Sequence, residues 1–291
     1  MDSIDNYIDI MTSRVTVPEK FRPHIIPVYP PDNFIIFEEW FRLKYISCNS
    51  DRVYLDLFPT SYWVNHDYGN NQERRKEIQD YVDSLDANKK YFSICQYDDG
   101  FMLDWKGKDV LEFNMSKQTG VMIPLICQPH PYKFSTEKKW LASFVGGRTH
   151  PIRNELEKLK NNPSIYISYE QHNIENYCRI MHESIFTLCP RGYGANSFRT
   201  CEALQYNSIP IYISDEFISC FDVEFLNFGW KLNNDEIGNI EKYIELFSKS
   251  ESIIEKQDAG RKFYEEYYTY EGCFKHIIES LETEFNYRQQ V

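Results

Sequence analysis

Apolar positions along this chain fall into two rhythms, and the second half alternates them regularly. Leu141–Val145, Ser164–Ser168, Ile185–Cys189 and Ile209–Ser214 are short, nearly continuous apolar runs, the pattern of strands buried on both faces. Between them, Pro151–Lys160 and Ile174–Glu183 carry helical spacing, the former with proline in its first turn, where the missing N–H costs nothing. A third helix is expected to open near Ser197. Strands alternating with helices of this length predict a parallel sheet, with ligand loops outside the carboxyl ends of its strands. From Asp235 onward the pattern is largely helical, ending in Gly272–Glu284.

The first half is punctuated by Pro18, Pro23, Pro27, Pro30 and Pro31, followed by a helical stretch at Asn33–Leu43 and a strand at Val53–Phe58. After the polar segment PTSYWVNHDYGNN, read as a loop, Ile78, Tyr81, Val82 and Leu85 mark an amphipathic helix over Glu73–Leu85. Tyr91–Gln96 is a compact apolar strand that runs into Tyr97-Asp98-Asp99-Gly100, and Val121–Cys127 is another strand. QPHPYKFSTEKK is the most linker-like segment. A boundary there divides the 291 residues into domains 1–135 and 136–291, within the range of about 100 to 200 residues that supports a core of its own.

Charge narrows the function classes. With 32 Lys plus Arg against 44 Asp plus Glu the formal net charge is −12, which repels nucleic acid and anionic membranes. Any phosphate ligand must therefore be held by local arginines and backbone donors. Aromatic residues make up 16% of the chain, which suits platforms for sugar rings and equally suits a sequence rich in Ile, Asn, Lys and Tyr. The eight cysteines form no C-x-x-C pair and show no zinc spacing with the seven histidines. Cys95, Cys127 and Cys189 sit inside apolar runs as small core residues. The opening MDSIDNYIDIMTSR lacks a basic region, and no run of about 18 apolar residues occurs. The expectation is a soluble, reduced, cytoplasmic protein with no membrane span.

Chemistry concentrates between Ile185 and Asp215. A strand feeds a Pro/Gly loop that carries Arg191 and Gly192, and a helix follows with Ser197, Arg199 and Glu202 in its first turns. A helix start offers unpaired N–H groups and partial positive charge, so this unit is built to hold an anion. A carboxylate one turn further on suits a ribose diol. The guest implied is a nucleoside diphosphate. Gly146-Gly147-Arg148 follows another strand of the same half, and Asp98 and Asp99 follow a strand of the first half, with His66 and Asp67 in the preceding loop.

These residues carry a resemblance. ENYCRIMHESIFTLCPRGYGANSFRTCEAL followed by NSIPIYISD resembles the hallmark of exostosin-type glycosyltransferases, glycosyltransferase family 47: S-x-F-x-L-x-P-R-G, then S-x-R-x-x-E-A-L, then I-P-V-x-x-S-D. FVGGRTHPIRNEL is similar to that family's F-x-G-x-R turn followed by I-R-x-x-L, and IPVYPPD, FPTSYW and YFSICQYDDG are similar to first-domain signatures of small members from bacteria and large algal viruses. The resemblance implies an α/β, GT-B architecture: two Rossmann-like domains facing across a cleft, with a helical C-terminus. It implies an inverting transfer from a UDP-sugar to a glycan hydroxyl acceptor, with no further cofactor and no metal. Carried over, Arg148, Arg191 and Arg199 neutralise the diphosphate, Gly192, Ser197 and nearby amides hydrogen-bond it, Glu202 takes the ribose, and Tyr169 is placed to meet the uracil. Inversion needs a base on the far side of the sugar, and the expected base is Asp98, then Asp99, then Asp67. Asp98-Asp99 is not a spaced D-x-D, which argues against manganese.

The chain departs from the family pattern at Asn207-Ser208, where members have Gly-Cys, and no amino-terminal anchor is expected for it. A non-catalytic nucleotide-sugar-binding partner of another glycosyltransferase is the alternative. A sugar-nucleotide epimerase is disfavoured by the absence of an N-terminal G-x-G-x-x-G.

Overall fold

Two parallel sheets, each of five strands, organise the computed structural model, which describes residues 14–15, 17–23, 35–116, 120–218, 220–221 and 224–289. The IPVYPPD segment at 26–32 and the first residues lie outside this set. The chain divides into one unit made of Met1–Pro124 and Tyr270–Val291 and a second made of Leu125–Thr269.

The first unit contains β1 (Arg14–Val15), β2 (Arg52–Leu55), β3 (Lys90–Cys95), β4 (Asp109–Asn114) and β5 (Val121–Met122), hydrogen-bonded in that order and all parallel. Its helices are α1 (Phe37–Lys44), α2 (Pro59–Asn65) and α3 (Gln72–Asp83). β3 is buried along nearly its whole length, as its unbroken apolar pattern predicts. The aromatic surplus is core: Phe41, Tyr45, Tyr54 and Phe92 pack ring against ring at 5.1–6.3 Å. Two features differ from expectation. The segment read as a polar loop folds in part as α2, because Tyr62 and Trp63 bury completely against the sheet. The strand expected over Val121–Cys127 pairs only at β5, and β4, whose mixed DVLEFN hides the rhythm, takes the long ladder beside β3.

The second unit orders β10-β9-β8-β6-β7, again all parallel, from β6 (Trp140–Val145), β7 (Ile165–Ser168), β8 (Ser184–Pro190), β9 (Ile209–Ile213) and β10 (Trp230–Leu232). Its helices are α4 (Ile174–His182), α5 (Phe198–Gln205), α6 (Ile240–Ser248) and α7 (Ile253–Tyr267), and Pro151–Asn161 winds as a 3₁₀-type helix. Phe144, Leu156, Phe186, Leu188, Ile211 and Ile240 form the centre of its core. The last helix, α8 (Tyr270–Gln289), was expected to close this unit, and the structure places it with the first. Residues 125–135, expected with the first domain, belong to the second. Each unit is a parallel α/β fold of the expected class, and the chain ends in helices. Among the described residues no helix is long and apolar enough to cross a membrane.

Candidate functional site

β6 and β8 are parallel neighbours, so Gly146-Gly147 and Arg191-Gly192 leave the sheet at the same carboxyl-end edge. Two guanidinium groups are drawn into that edge. Arg199, in the first turn of α5, is 8% exposed; its Nη2 donates to the Val145 carbonyl at 2.5 Å, and the group lies 4.6 Å from the Phe144 ring centre. A Cβ on Gly146 would stand 2.5 Å from that Nη2, so only glycine lets the guanidinium lie against the backbone here. Arg153, from the 3₁₀ helix, is 7% exposed. It donates from Nε to Arg191 O (2.9 Å), from Nη1 to Gly147 O (3.1 Å) and from Nη2 to Pro190 O (3.2 Å), tying the two glycine loops together. Burial, and then the neighbouring Arg199 charge, push Arg153 down to about 10. Its hydrogen bonds run to main-chain carbonyls, and its charge lies beside that of Arg199, so two like charges are drawn together at this edge.

Ser197 caps α5, accepting from Arg199 N at 3.4 Å, and the Tyr212 hydroxyl donates to Ala195 O at 2.5 Å, pinning the glycine loop. Arg191 is paired with Asp215 just past the end of β9, and its Nη2 donates to Tyr193 O at 3.2 Å. The hydrogen bond from Arg191 Nη1 to Asp215 Oδ1, with the guanidinium charge, holds the Asp215 carboxyl below its ordinary range. Arg148 is exposed, bonded to Asn154 Oδ1 at 2.8 Å, paired with Glu157, and 3.6 Å above the centre of the Tyr169 ring. Tyr169, expected near a uracil, thus already has a guanidinium on its ring, and its hydroxyl donates to Arg153 O. The structure therefore brings Arg191, Gly192, Ser197 and Arg199 to one edge with Arg153, while Arg148 and Tyr169 form a stacked pair after β6 and β7.

Glu202, expected to take the ribose, is deeply buried. It is 1% exposed; Oε1 lies 2.9 Å from His130 Nε2, and Oε2 accepts from the Tyr177 hydroxyl at 2.6 Å. Each oxygen is engaged by a protein group and could accept a second hydrogen bond, so it is the burial of Glu202 that stands between it and a ribose.

In the first unit Asp98 and Asp99 are half-buried in the turn after β3, where Gly100 adopts a φ of +69°. Asp67 is exposed in a short 3₁₀ turn with a φ of 56°, and His66 precedes it with its ring 4.6 Å from Tyr62. Desolvation, aided by the Arg74 charge, lowers the His66 imidazole. Behind the Asp98 turn lies Glu38 of α1, fully buried, which accepts from Gln96 N at 2.7 Å and from Thr60 Oγ1 at 2.6 Å. Burial raises its carboxyl to about 7 against the hydrogen bonds that lower it.

Residues 98–224 match the Exostosin GT47 domain. The span begins at Asp98 and covers the whole glycine-loop edge, so the resemblance to exostosin-type glycosyltransferases is shown where the site lies. The chain is 25% identical to an exostosin-1 homolog of Caenorhabditis elegans, covering 50% of this chain and 53% of that one, and 26% identical to a probable glycosyltransferase of Arabidopsis thaliana, covering 48% and 27%. It thus spans about half or less of the length of these relatives. The crystal structure of the pneumococcal O-GlcNAc transferase GtfA in complex with UDP and GlcNAc aligns over 84% of this chain and 59% of its own, at 10% identity and a TM-score of 0.42.

Two residues escaped the sequence reading, Arg153 at the glycine-loop edge and Glu38 behind the Asp98 turn. Arg153 stands inside the quoted I-R-x-x-L motif, but on a helix it reads as a surface cation, and only the fold turns it inward. Glu38 carried no signal, since a lone glutamate in FEEW is ordinary helix chemistry.

Proposed function

We propose that this chain is an inverting glycosyltransferase that moves a sugar from a UDP-sugar to a glycan hydroxyl, with no metal in the transfer step. The observation that supports this most is the paired burial of Arg153 and Arg199 beside Gly146 and Gly192 at the carboxyl edge of a parallel sheet. Guanidinium groups gathered beside two glycine loops suit a diphosphate, and the capped start of α5 adds N–H donors. Arg191 and the exposed Arg148 complete the positive lip, and Tyr169 stacked with Arg148 supplies an edge for the base.

In the transfer, an acceptor oxygen attacks the anomeric carbon as the bond to the β-phosphate breaks, through an oxocarbenium-like state. The acceptor proton passes to a carboxylate, Asp98 by preference, with Asp99 and Asp67 behind it. Negative charge gathers on the leaving UDP, where the arginines meet it. Glu202, being buried, positions α5 in this reading and does not touch the ribose.

Titration calorimetry with UDP, alongside turnover of a panel of UDP-sugars, tests the proposal. UDP should bind the wild-type protein and lose most of its affinity with Arg199→Ala. Asp98→Asn should keep that affinity and lower transfer by about 10² to 10⁴, the usual worth of general-base help. No UDP binding by the wild type would overturn the nucleotide reading. Undiminished turnover by Asp98→Asn would overturn the choice of base alone.

A further inference from the structure

Where the segment entering the second unit meets α5, a group of buried side chains comes together that the nucleotide edge does not use. Cys127 is 1% exposed, His130 8% and Glu202 1%. A thiol, a ring nitrogen and a carboxylate oxygen from these three lie within 4.8 Å of one another. The Cys201 thiol, one residue before Glu202 on α5, is in hydrogen-bonding contact with that of Cys127. The sequence reading found no zinc spacing between cysteines and histidines, because Cys127-x-x-His130 is only half of such a motif and Cys201 and Glu202 lie 71 to 72 residues further on.

We propose that Cys127, His130 and Glu202 bind one divalent transition-metal ion of the zinc type, with the Cys201 thiol in reach of the fourth position. Charge argues for it first. A thiolate and a carboxylate brought together carry −2, and a divalent cation bound between them makes the buried set neutral. Ligand type argues second: sulfur with imidazole selects zinc or cobalt over magnesium and calcium. Geometry is within reach. Tetrahedral zinc with bonds of about 2.0 to 2.3 Å places ligand atoms about 3.3 to 3.8 Å apart, so side-chain rotations of about 1 Å close the set. The supporting shell is already built. Tyr177 donates to the Glu202 Oε2 at 2.6 Å, and Gln205 holds the His130 backbone from both sides, accepting from its N at 3.1 Å and donating to its O at 2.8 Å. Such an ion has a structural role: it staples residues 127–130 to α5, the helix whose first turn presents Ser197 and Arg199.

The test uses the full chain, stripped of metal and titrated with Co²⁺, then with Zn²⁺. One equivalent of Co²⁺ should produce a thiolate-to-cobalt charge-transfer band together with the intense d–d absorption of a tetrahedral site. Zn²⁺ should displace the cobalt and raise the melting temperature. Cys127→Ser should abolish the charge-transfer band, and Cys48→Ser should leave it unchanged. Tyr177→Phe, which keeps the packing and removes only a supporting hydrogen bond, should weaken Zn²⁺ binding about 10- to 100-fold. A wild-type protein that shows neither the band nor the Zn²⁺-dependent shift overturns the proposal, as does a band that persists in Cys127→Ser. Should Cys127→Ser fail to fold, the wild-type and Tyr177→Phe titrations decide. UDP binding measured on the same samples separates this outcome from the fate of the nucleotide site.

Discussion

A single missing Cβ sets the position of Arg199. Its Nη2 would lie 2.5 Å from a side chain at residue 146, and it is held there by the Val145 carbonyl. Gly146→Ala should therefore drive the guanidinium off the strand end while changing the fold little, since the clash is with the tip of a flexible side chain. A charge-assisted hydrogen bond is worth about 1.5 to 3 kcal/mol, so UDP affinity should fall about 10- to 100-fold with a nearly unchanged melting temperature. Calorimetry and a thermal melt on the same variant check both halves, and an unaltered affinity would remove Arg199 from the binding edge. At this scale Arg191, Gly192, Ser197 and Arg199 were legible because turn residues, a cap and cations at fixed offsets each carry a local physical meaning. Arg153 and the partners of Glu202 were not, because which face of a helix is buried depends on the sheet it lands on.

Among the elements, α2 and the end of β3 are joined through one carboxylate. Glu38 accepts from Thr60 N at 3.2 Å, in the first turn of α2, and from Gln96 N where the chain leaves β3 for the Asp98 turn. Burial raises its carboxyl from 4.5 to about 7. The folded state thus holds this proton more tightly than the unfolded chain. The stability it contributes is full below the unfolded value of 4.5 and is lost progressively as pH rises toward 7. Over that window the loss should be about 3 kcal/mol. Urea unfolding of the wild type at pH 5 and pH 8 should show it, and Glu38→Gln should flatten the dependence; equal slopes in the two proteins would deny the buried carboxyl its role. The same region shows why elements were misread. PTSYWVN looks polar by composition, yet Tyr62 and Trp63 supply the buried stripe of α2. The apolar Val121–Cys127 run belongs in part to the segment entering the second unit, where Cys127 turns toward α5 and leaves the first sheet.

For the whole molecule, the course of the chain end matters most. The spacing of Tyr270, Cys273, Phe274, Ile277 and Leu281 marks an amphipathic helix, but periodicity names no partner, and proximity in sequence suggested the second unit. The partner is α1: Phe274 packs on Phe41 at 4.9 Å, Tyr270 on Phe37 at 5.3 Å, and Arg52 of β2, 5% exposed, is gripped by Glu284 at 2.7 and 2.8 Å. Cys273, Ile277 and Leu281 are fully buried. Ending the chain at Thr269 would uncover that aromatic face and strip Arg52 of one of its two carboxylates, the other being Asp109 at 2.7 Å. At about 1.5 to 3 kcal/mol for each large apolar side chain lost from the core, the deficit reaches the 5 to 15 kcal/mol by which a whole domain is stable. The shortened protein should therefore lose the melting transition of the first unit and all transfer activity. Its second unit, 125–269, contains the glycine loops, Arg153 and Arg199, so UDP binding should remain. A truncated chain that melts like the parent would show that α8 is dispensable, and one that loses UDP binding as well would show that the second unit draws its stability from the first.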